Sequence, residues 1–397
     1  MMGWIIGIIV FIAVIIVMAI IDFKLGSAYL KKNHRHLTFT KTSGDYLLYH
    51  NGNRLFDEMY VDITNAVKQV DVQFFIIKTD DISQQFFDLF KQKAREGVQV
   101  RVLVDRLGGY RITKKWREEL EQAGVEFRFS EKPHFPYFIF HLNRRNHRKI
   151  VVIDGKISYA GGFNIAREYL GKDAEMGDWR DYHLRLTGEV VKNLHMIFLD
   201  DWYLAGGGKH APMPPSDKGS KELLVSPNEC GRMEKEFLKM IKAAEEEILI
   251  GTPYFIPTRK LMEALKLAAA RGVMIKLLCP LKSDHPFVKE AGIPYFRELY
   301  QAGGRIRFYD AGFYHAKVFI VDRKQCDIGT ANFDLRSLFL NKEVNIFVYD
   351  PGFIDHIRNL YLKDFADGLS YDQNWLADRS LGTRINVQIA RLLRPLL

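Results

Sequence analysis

Cysteine is scarce in this sequence, with three residues among 397. Cys230, Cys279 and Cys326 lie far apart, and none belongs to a CxxC pair or to the spacing of a zinc site. A disulfide framework and a structural zinc site are therefore not expected. Cysteine usage of this kind fits a protein of a reducing compartment.

Charged residues are absent from Gly3–Ile21, close to the N-terminus. At about 1.5 Å per residue, a helix of this length nearly crosses a hydrocarbon core of about 30 Å. A cleaved signal peptide is the alternative, but no basic segment precedes the apolar run and no clear A-x-A site follows it. We therefore predict a transmembrane anchor over residues 1–22.

Basic residues follow this anchor, whereas only the amino terminus precedes it. They are Lys24, Lys31, Lys32 and Arg35. The positive-inside rule then predicts a single-pass protein of the cell membrane whose folded body lies in the cytoplasm.

The most informative pattern is a duplicated motif, H-x-K-x-x-x-x-D. Its members are His147, Lys149 and Asp154 in the first copy and His315, Lys317 and Asp322 in the second. Each copy is followed by small residues that end in an asparagine at the same distance, Asn164 or Asn332. One such motif is a weak signal, but two complete copies are a strong one.

Each motif is typical of a β-hairpin. Histidine and lysine stand two positions apart in an apolar, β-branched run, so a strand would point both side chains to the same face. Asp154-Gly155 and Asp322-Arg323 are turn signals after these runs. Asp154 and Asp322 complete the catalytic motifs, but their position at the turns predicts a mainly structural role for both.

Two imidazoles and two ammonium groups suit the cleavage of a phosphodiester. Lys149 and Lys317 can neutralise the nonbridging oxygens, and Asn164 and Asn332 can add neutral donors. Histidine has an unperturbed pKa of about 6.5, so one imidazole can attack phosphorus while the other protonates the leaving oxygen. These residues predict catalysis through a phosphohistidine, without a metal or another cofactor.

These motifs resemble those of the phospholipase D superfamily, whose members carry a duplicated H-x-K-x4-D motif followed by a G-[SG]-x-N element. Asn332–Ser337, Leu340–Glu343 and Ala390–Leu397 are similar to the bacterial cardiolipin synthase branch, and the likeness covers nearly the whole chain. Gly162 and Thr330 stand where serine is usual in the family.

The resemblance implies roles for the two histidines and for two further residues. It makes His147 the nucleophile and His315 the general acid and base, although the sequence itself does not break the symmetry, and the reverse assignment stays open. It also implies that carboxylates orient the histidines across the lobes, Glu343 with His147 and Asp181 with His315. A surface salt bridge is the alternative for each carboxylate.

The two halves of the chain repeat the same order of elements before the motif. Helix, strand, helix and strand are predicted at Leu55–Val70, Val72–Ile77, Ser83–Glu96 and Val98–Val104, and again at Met233–Glu246, Ile248–Tyr254, Lys260–Arg271 and Val273–Cys279. This order predicts an α/β protein with two tandem phospholipase D-like α/β sandwich lobes, each with a mixed sheet covered by helices. The lobes are assigned to residues 23–204 and 221–370.

Residues 205–220 are rich in Gly, Pro and Ser and lack apolar periodicity, which predicts a linker between the lobes. Gly206–Lys209 within it suggests a phosphate loop only superficially, because the Walker spacing is missing and no strand feeds it. Residues 371–397 form a separate C-terminal segment.

Two further stretches are candidates for contact with the bilayer. Pro133–Phe140 is apolar and aromatic and is followed by Arg144, Arg145 and Arg148, which suits a headgroup layer. A core strand with a basic turn is the alternative. Thr383–Leu397 has the pattern of an interfacial amphipathic helix, and the alternative is that it packs back onto the protein.

The net charge of +9 and a pI near 9.2 favour acidic partners, either nucleic acid or anionic lipid. The predicted anchor favours lipid. With the resemblance, this implies transfer of a phosphatidyl group from one phosphatidylglycerol to another with release of glycerol, and no nucleic-acid partner. A hydrolytic phospholipase D would use the same residues with water, and a membrane-tethered nuclease would explain the charge but not the anchor.

Overall fold

The computed structural model describes residues 2–34, 37–173, 175–215, 217–372, 375, 382 and 386–390. The predictions made for Arg35 and for most of Thr383–Leu397 lie outside these residues. The helices are α1 Met2–Asn33, α2 Gly52–Thr64, α3 Asp81–Arg95, α4 Lys114–Gln122, α5 Phe138–Asn143, α6 Val190–Leu204, α7 Arg232–Ala243, α8 Arg259–Ala270, α9 Val288–Gln301, α10 Leu335–Phe339 and α11 Pro351–Asp367, with a 3₁₀ turn at Arg167–Leu170.

The strands of the first half are β1 Thr42–Tyr49, β2 Gln69–Phe74, β3 Gln99–Asp105, β4 Glu126–Ser130, β5 Ile150–Ile153, β6 Ile157–Gly161, β7 Asp178–Arg180 and β8 His183–Thr187. Those of the second half are β9 Lys221–Asn228, β10 Glu247–Gly251, β11 Met274–Pro280, β12 Arg305–Tyr309, β13 Gly312–Tyr314, β14 Val318–Val321, β15 Gln325–Gly329, β16 Glu343–Val348 and β17 Leu369–Ser370.

The two halves repeat one sheet topology. In the first lobe β2, β3 and β4 are parallel, and β2 continues antiparallel through β5 and β6 to β8. In the second lobe β10, β11 and β12 are parallel, and β10 continues through β14 and β15 to β16. The predicted pair of mixed α/β lobes is therefore confirmed.

The lobes share one sheet instead of having two separate ones. Strand β1 pairs with β8 of the first lobe and also with β9, which pairs with β16 of the second. The described residues thus form a 15-stranded sheet that runs through both lobes. A buried cluster packs on this sheet between the lobes and takes Leu184 and Leu186 from the first and Val344 and Ile346 from the second.

Most predicted helices and strands form within a few residues of their expected bounds, with one clear error. The helix predicted over Leu55–Val70 ends at Thr64, and Asn65 caps its C-terminus. Val70 is fully buried within β2, where its β-branched side chain packs in the sheet. The apolar spacing continued past the helix end because the next strand is also apolar.

Both predicted hairpins form. Asp154 and Gly155 have φ values of 53° and 67°, and Asp322 and Arg323 have 50° and 55°, the left-handed conformation of both central residues in a type I′ turn. The Asp154 carboxylate accepts hydrogen bonds from the backbone N–H groups of residues 67, 68 and 69 at 2.9, 2.7 and 2.9 Å. Asp322 accepts from those of residues 245, 246 and 247 at 2.8, 2.8 and 2.9 Å. Both carboxylates thus bind the backbone that leads into the neighbouring strand.

The apolar N-terminal run forms the first part of α1. Over Trp4–Asn33 this helix is long and apolar enough to cross a membrane, and its most apolar stretch is not buried by the rest of the protein. Beyond Ile21 it continues along the first lobe, where Asp22 Oδ2 accepts a hydrogen bond of 3.0 Å from Phe140 N. The candidate membrane span is therefore attached directly to α5, just before the first motif.

The segment between the lobes follows the surface of the first lobe. Residues 205–215 and 217–220 contain no helix or strand. Met213 N donates to His195 Nδ1 at 3.2 Å, and Lys218 O accepts from Glu189 N at 3.2 Å. These bonds hold the segment against α6.

Candidate active site

The histidines and lysines of the two motifs lie just before their strands. We expected them within the strands, but β5 begins at Ile150 and β14 at Val318, after the lysine in each case. The reason is that the chain crosses towards the opposite lobe at this point. Asn146 forms a parallel bridge with Lys342, and β13, which ends at Tyr314, pairs with β7.

These crossings place each histidine beside a carboxylate of the other lobe. His147 N donates to Lys342 O at 2.9 Å, and His315 N donates to Arg180 O at 2.7 Å. The next residue after each acceptor is a carboxylate, Glu343 or Asp181. The backbone register alone therefore sets which carboxylate lies next to which histidine.

The side chains complete the two crossed pairs. His147 Nδ1 lies 2.8 Å from Glu343 Oε2, and His315 Nδ1 lies 2.6 Å from Asp181 Oδ2. Both carboxylates are fully buried, and both imidazoles are nearly so. A carboxylate at Nδ1 favours the tautomer that carries its hydrogen there, which leaves Nε2 of each ring for chemistry.

Aromatic rings hold the two imidazoles in place. The Phe75 ring packs edge-on against His147, with centroids 4.9 Å apart. The Trp179 ring lies at the same centroid distance from His315. Sequence reasoning did not find either aromatic residue, because neither belongs to the motifs.

The two motif lysines are buried with the histidines. Lys149 Nζ donates to His147 O at 2.8 Å, and Lys317 Nζ lies 3.0 Å from His315 Nε2 and 3.7 Å from Asp181 Oδ2. Burial lowers the pKa of both lysines, and that of Lys149 falls well below its ordinary value. An anion bound beside these buried lysines favours their charged form, and its attraction to them is strong because water is largely excluded.

The imidazoles also prefer their neutral forms. Burial lowers the pKa of His147, although Glu343 opposes this shift. Burial and the neighbouring Lys317 lower the pKa of His315 well below 6.5. For Glu343, burial favours the neutral form, but His147, Lys149 and Thr330 together outweigh it and lower the pKa. The resting pair at Glu343 is therefore a carboxylate with a neutral imidazole.

Both histidines and both motif asparagines line one cleft with a volume of about 680 Å³. The cleft takes walls from both lobes. Asn164 is fixed by its neighbours, because its Oδ1 accepts from Ile76 N at 3.0 Å and its Nδ2 donates to Tyr169 Oη at 3.0 Å. The structure thus brings His147, His315, Asn164 and Asn332 to one place.

The departure from serine at Gly162 has a steric cause. A Cβ at this position would lie 2.0 Å from Asp181 Oδ1, so Asp181 occupies the space that a side chain would need. In the second lobe Thr330 Oγ1 accepts from Val344 N at 2.9 Å, and its hydrogen bond to Glu343 favours the ionised carboxylate. The first lobe thus leaves room for Asp181 through a glycine, whereas the second binds Glu343 through a threonine hydroxyl.

The arginines that follow Pro133–Phe140 do not lie where we expected them. We expected them to suit a headgroup layer, yet Arg145 and Arg148 are buried, with side-chain exposures of 5% and 2%. Arg148 donates to Asp201 Oδ2 at 2.8 Å, to Glu229 Oε1 at 3.0 Å and to Glu343 O at 3.0 Å. Pro133–Phe140 itself contains no strand, and α5 begins at Phe138.

Lys342 belongs to the same buried network as Arg148. Its Nζ lies 3.0 Å from Asp201 Oδ1 and 3.1 Å from Glu131 Oε1. Burial would raise the pKa of Asp201, but Arg148 and Lys342 outweigh it and lower that pKa. This network underlies the bridge between Asn146 and Lys342, and so supports the position of His147.

Two further charged residues, Asp284 and Arg336, line the cleft outside the motifs. Asp284 accepts from Tyr254 Oη at 2.7 Å, lines the cleft and raises the pKa of His315 and Lys317 against burial. It follows the carboxyl end of β11, a position where ligand groups commonly lie and which could have indicated it. Arg336, which follows Asn332 by four residues, also lines the cleft and donates to Asn143 O at 2.7 Å.

Comparison with known proteins agrees with this geometry. Residues 59–202 and 237–365 match the family described as the phospholipase D-like domain of cardiolipin synthase. These two matches cover most of the chain, one in each lobe. The chain belongs to this family.

Three curated relatives in this cardiolipin synthase family come from bacteria. The minor cardiolipin synthase ClsB of Bacillus subtilis (strain 168) is 42% identical over 354 residues, which cover 88% of this chain and 89% of that protein. A cardiolipin synthase of Geobacillus kaustophilus is 38% identical, over 87% of this chain and 71% of the relative. One from Clostridium perfringens is 36% identical, over 92% and 79%.

Solved structures support the same fold at lower identity. A phosphatidylserine synthase of Haemophilus influenzae superposes with a TM-score of 0.68 and 14% identity, over 94% of this chain and 100% of the other. A polyphosphate kinase of Porphyromonas gingivalis gives a TM-score of 0.57 and 16% identity, over 88% and 52%. At these identities the likeness concerns the architecture alone.

The buried network makes a prediction about stability. Arg148→Met should lower the free energy of unfolding by about 3–5 kcal/mol, because it removes a buried cation that pairs with both Asp201 and Glu229. Thermal and denaturant unfolding of the detergent-solubilised protein would measure the loss. Arg167→Met is the matched control, since Arg167 pairs with Asp81 at the surface, and it should cost little. Equal losses in the two variants would contradict the structural importance of the network.

Proposed function

We propose that the cleft transfers a phosphatidyl group from one phosphatidylglycerol to the hydroxyl of a second, forming cardiolipin and releasing glycerol. The observation that carries this proposal is the convergence of two histidine–carboxylate pairs in one cleft of a chain whose curated relatives are cardiolipin synthases. The candidate membrane helix, attached to the first lobe, supports lipid substrates.

His147 acts as the nucleophile in this proposal. Its Nδ1 is engaged by Glu343, and its lowered pKa keeps Nε2 unprotonated near pH 7. The Nε2 lone pair forms a bond to phosphorus while the bond from phosphorus to the oxygen of the headgroup glycerol breaks. Lys149, Lys317, Asn164 and Asn332 stabilise the charge on the nonbridging oxygens.

His315 acts as the general acid and then as the general base. Its pKa lies well below 6.5 in the cleft, but an anionic phosphodiester next to the ring favours the protonated form. The proton passes to the departing glycerol oxygen. In the second step His315 takes the proton of the incoming hydroxyl, whose oxygen attacks phosphorus as the bond to His147 breaks.

We also propose that α1 anchors the protein in the cell membrane with both lobes in the cytoplasm. Lys24, Lys31 and Lys32 all lie in the part of α1 beyond the apolar run. Their position on one side of that run favours this orientation.

The products separate the candidate activities. Purified protein with phosphatidylglycerol alone should form cardiolipin and glycerol in equal amounts, at a rate that EDTA leaves unchanged. Phosphatidic acid as the main product would instead indicate a hydrolytic phospholipase D. Cleavage of DNA without turnover of lipid would reject the lipid assignment. Thin-layer chromatography and mass spectrometry of the quenched reaction distinguish these results.

The roles of the histidines can be separated by trapping the intermediate. With phosphatidylglycerol labelled at phosphorus, acid-sensitive label should remain on the quenched protein and should disappear in His147→Ala. His315→Asn should retain the label. The label should accumulate if this variant slows formation of the phosphohistidine less than it slows transfer to the acceptor hydroxyl. Loss of label in the His315 variant alone would mean that the two roles are reversed.

The Glu343 carboxylate predicts a shift in the pH profile. A neutral His147 is required for attack, so kcat/KM should fall as the pH drops through the lowered pKa of His147. Glu343→Gln removes the charge that raises this pKa. The acid limb should therefore move to lower pH, with a rate loss of about 10²-fold or more from misorientation. Asp181→Asn is the matched variant and should leave the acid limb of the kcat/KM profile where it is. If the acid limb moves in Asp181→Asn and not in Glu343→Gln, His315 is the nucleophile.

A further inference from the structure

A second cavity of about 240 Å³ lies between α1 and α10. Its walls are largely apolar and include Phe23, Ser27 and Leu30 of α1, Phe140 of α5, and Leu335 and Phe339 of α10, while Lys31 and Arg336 also line it. The cavity therefore lies between the candidate membrane helix, the helix that precedes the first motif and the helix that follows the second.

The position of α1 against this cavity is fixed by close contacts with α5. A Cβ at Gly26 would lie 2.4 Å from Phe140 Cγ, so only glycine permits the helices to approach this closely. The rings of Tyr29 and Tyr137 lie 5.7 Å apart, and Asp22 accepts the hydrogen bond from Phe140 N. The cavity is therefore bounded by a helix that specific contacts hold in place.

The wall formed by α1 continues towards the apolar run. Phe23, Ser27 and Leu30 are spaced so that they share one face of the helix. Ile16 and Ile20 extend this face and are 53% and 48% exposed. An apolar chain that lies in the cavity can therefore continue along α1 into a bilayer.

Arg336 connects the cavity with the catalytic cleft, because it lines both. Its guanidinium donates to Asn143 O at 2.7 Å, and Asn143 also lines the cleft. The cleft that contains the two histidines and the apolar cavity therefore meet at a cation. A phospholipid has the same order of groups, with a phosphodiester followed by ester groups and acyl chains.

We propose that this cavity binds one acyl chain of the phospholipid whose phosphate lies in the catalytic cleft. This rests on the function proposed above, and it adds the route by which a lipid extends from the bilayer to the histidines. Arg336 lies at the boundary, where the lipid changes from charged to apolar.

A cavity-filling variant tests this site. In Ser27→Phe the new ring occupies the space of the chain, so synthesis from dioleoyl phosphatidylglycerol should fall at least about tenfold. The rate with dihexanoyl phosphatidylglycerol should stay within about a factor of two, because its short chains do not need the cavity. Ala28→Phe is the matched control on the exposed side of α1 and should change neither rate by more than about twofold.

An unchanged ratio of the two rates in Ser27→Phe would overturn the acyl-chain site. A wild-type protein that forms cardiolipin from neither lipid would instead reject the proposed function, so the two failures are distinguishable.

Photolabelling of the unaltered protein tests the site without relying on turnover or on a variant. Phosphatidylglycerol that carries a diazirine midway along one acyl chain should label residues 23–31 and 335–340, as located by mass spectrometry. Competition by unlabelled dioleoyl phosphatidylglycerol should remove this label. Label confined to other parts of the protein would overturn the proposal, whatever the activity.

Discussion

Two backbone hydrogen bonds that cross between the lobes determine the rest of the site. They join His147 N to Lys342 O and His315 N to Arg180 O. Because a carboxylate follows each acceptor in the chain, the same bonds that dock the lobes also place Glu343 and Asp181 at the imidazoles. In each pair at the cleft the histidine comes from one lobe and the carboxylate from the other. The duplicated motif thus becomes one centre only when the repeat is folded onto itself.

Burial of charge is the second constraint on this centre. Desolvation lowers the pKa of both histidines and both motif lysines. Such a site is costly to assemble unless charges are paired. The pairing comes from the crossed carboxylates at the two histidines and from the buried network of Arg148, Lys342 and Asp201. The network therefore contributes to the geometry of the centre as well as to the stability of the fold.

The sequence predicted the local parts of this arrangement better than the distant ones. The hairpins followed from alternation and turn residues, which act over a few positions, and both form at Asp154 and Asp322. The crossed carboxylates were expected only through family resemblance, since Glu343 lies 196 residues from His147. Arg148 was misread because an arginine next to aromatic residues has the same sequence pattern at a surface and in a core. Its partner Asp201 is 53 residues away, and nothing local indicates it.

The continuous sheet has a mechanical consequence for turnover. A hinge between the lobes would have to separate β1 from β9 and break the two crossing backbone bonds at the same time. The architecture therefore favours a rigid reaction chamber whose mouth is preformed. On such a scaffold, departure of the first alcohol and arrival of the second depend on diffusion through that mouth and on local side-chain motion, not on repeated opening and closing of the whole molecule.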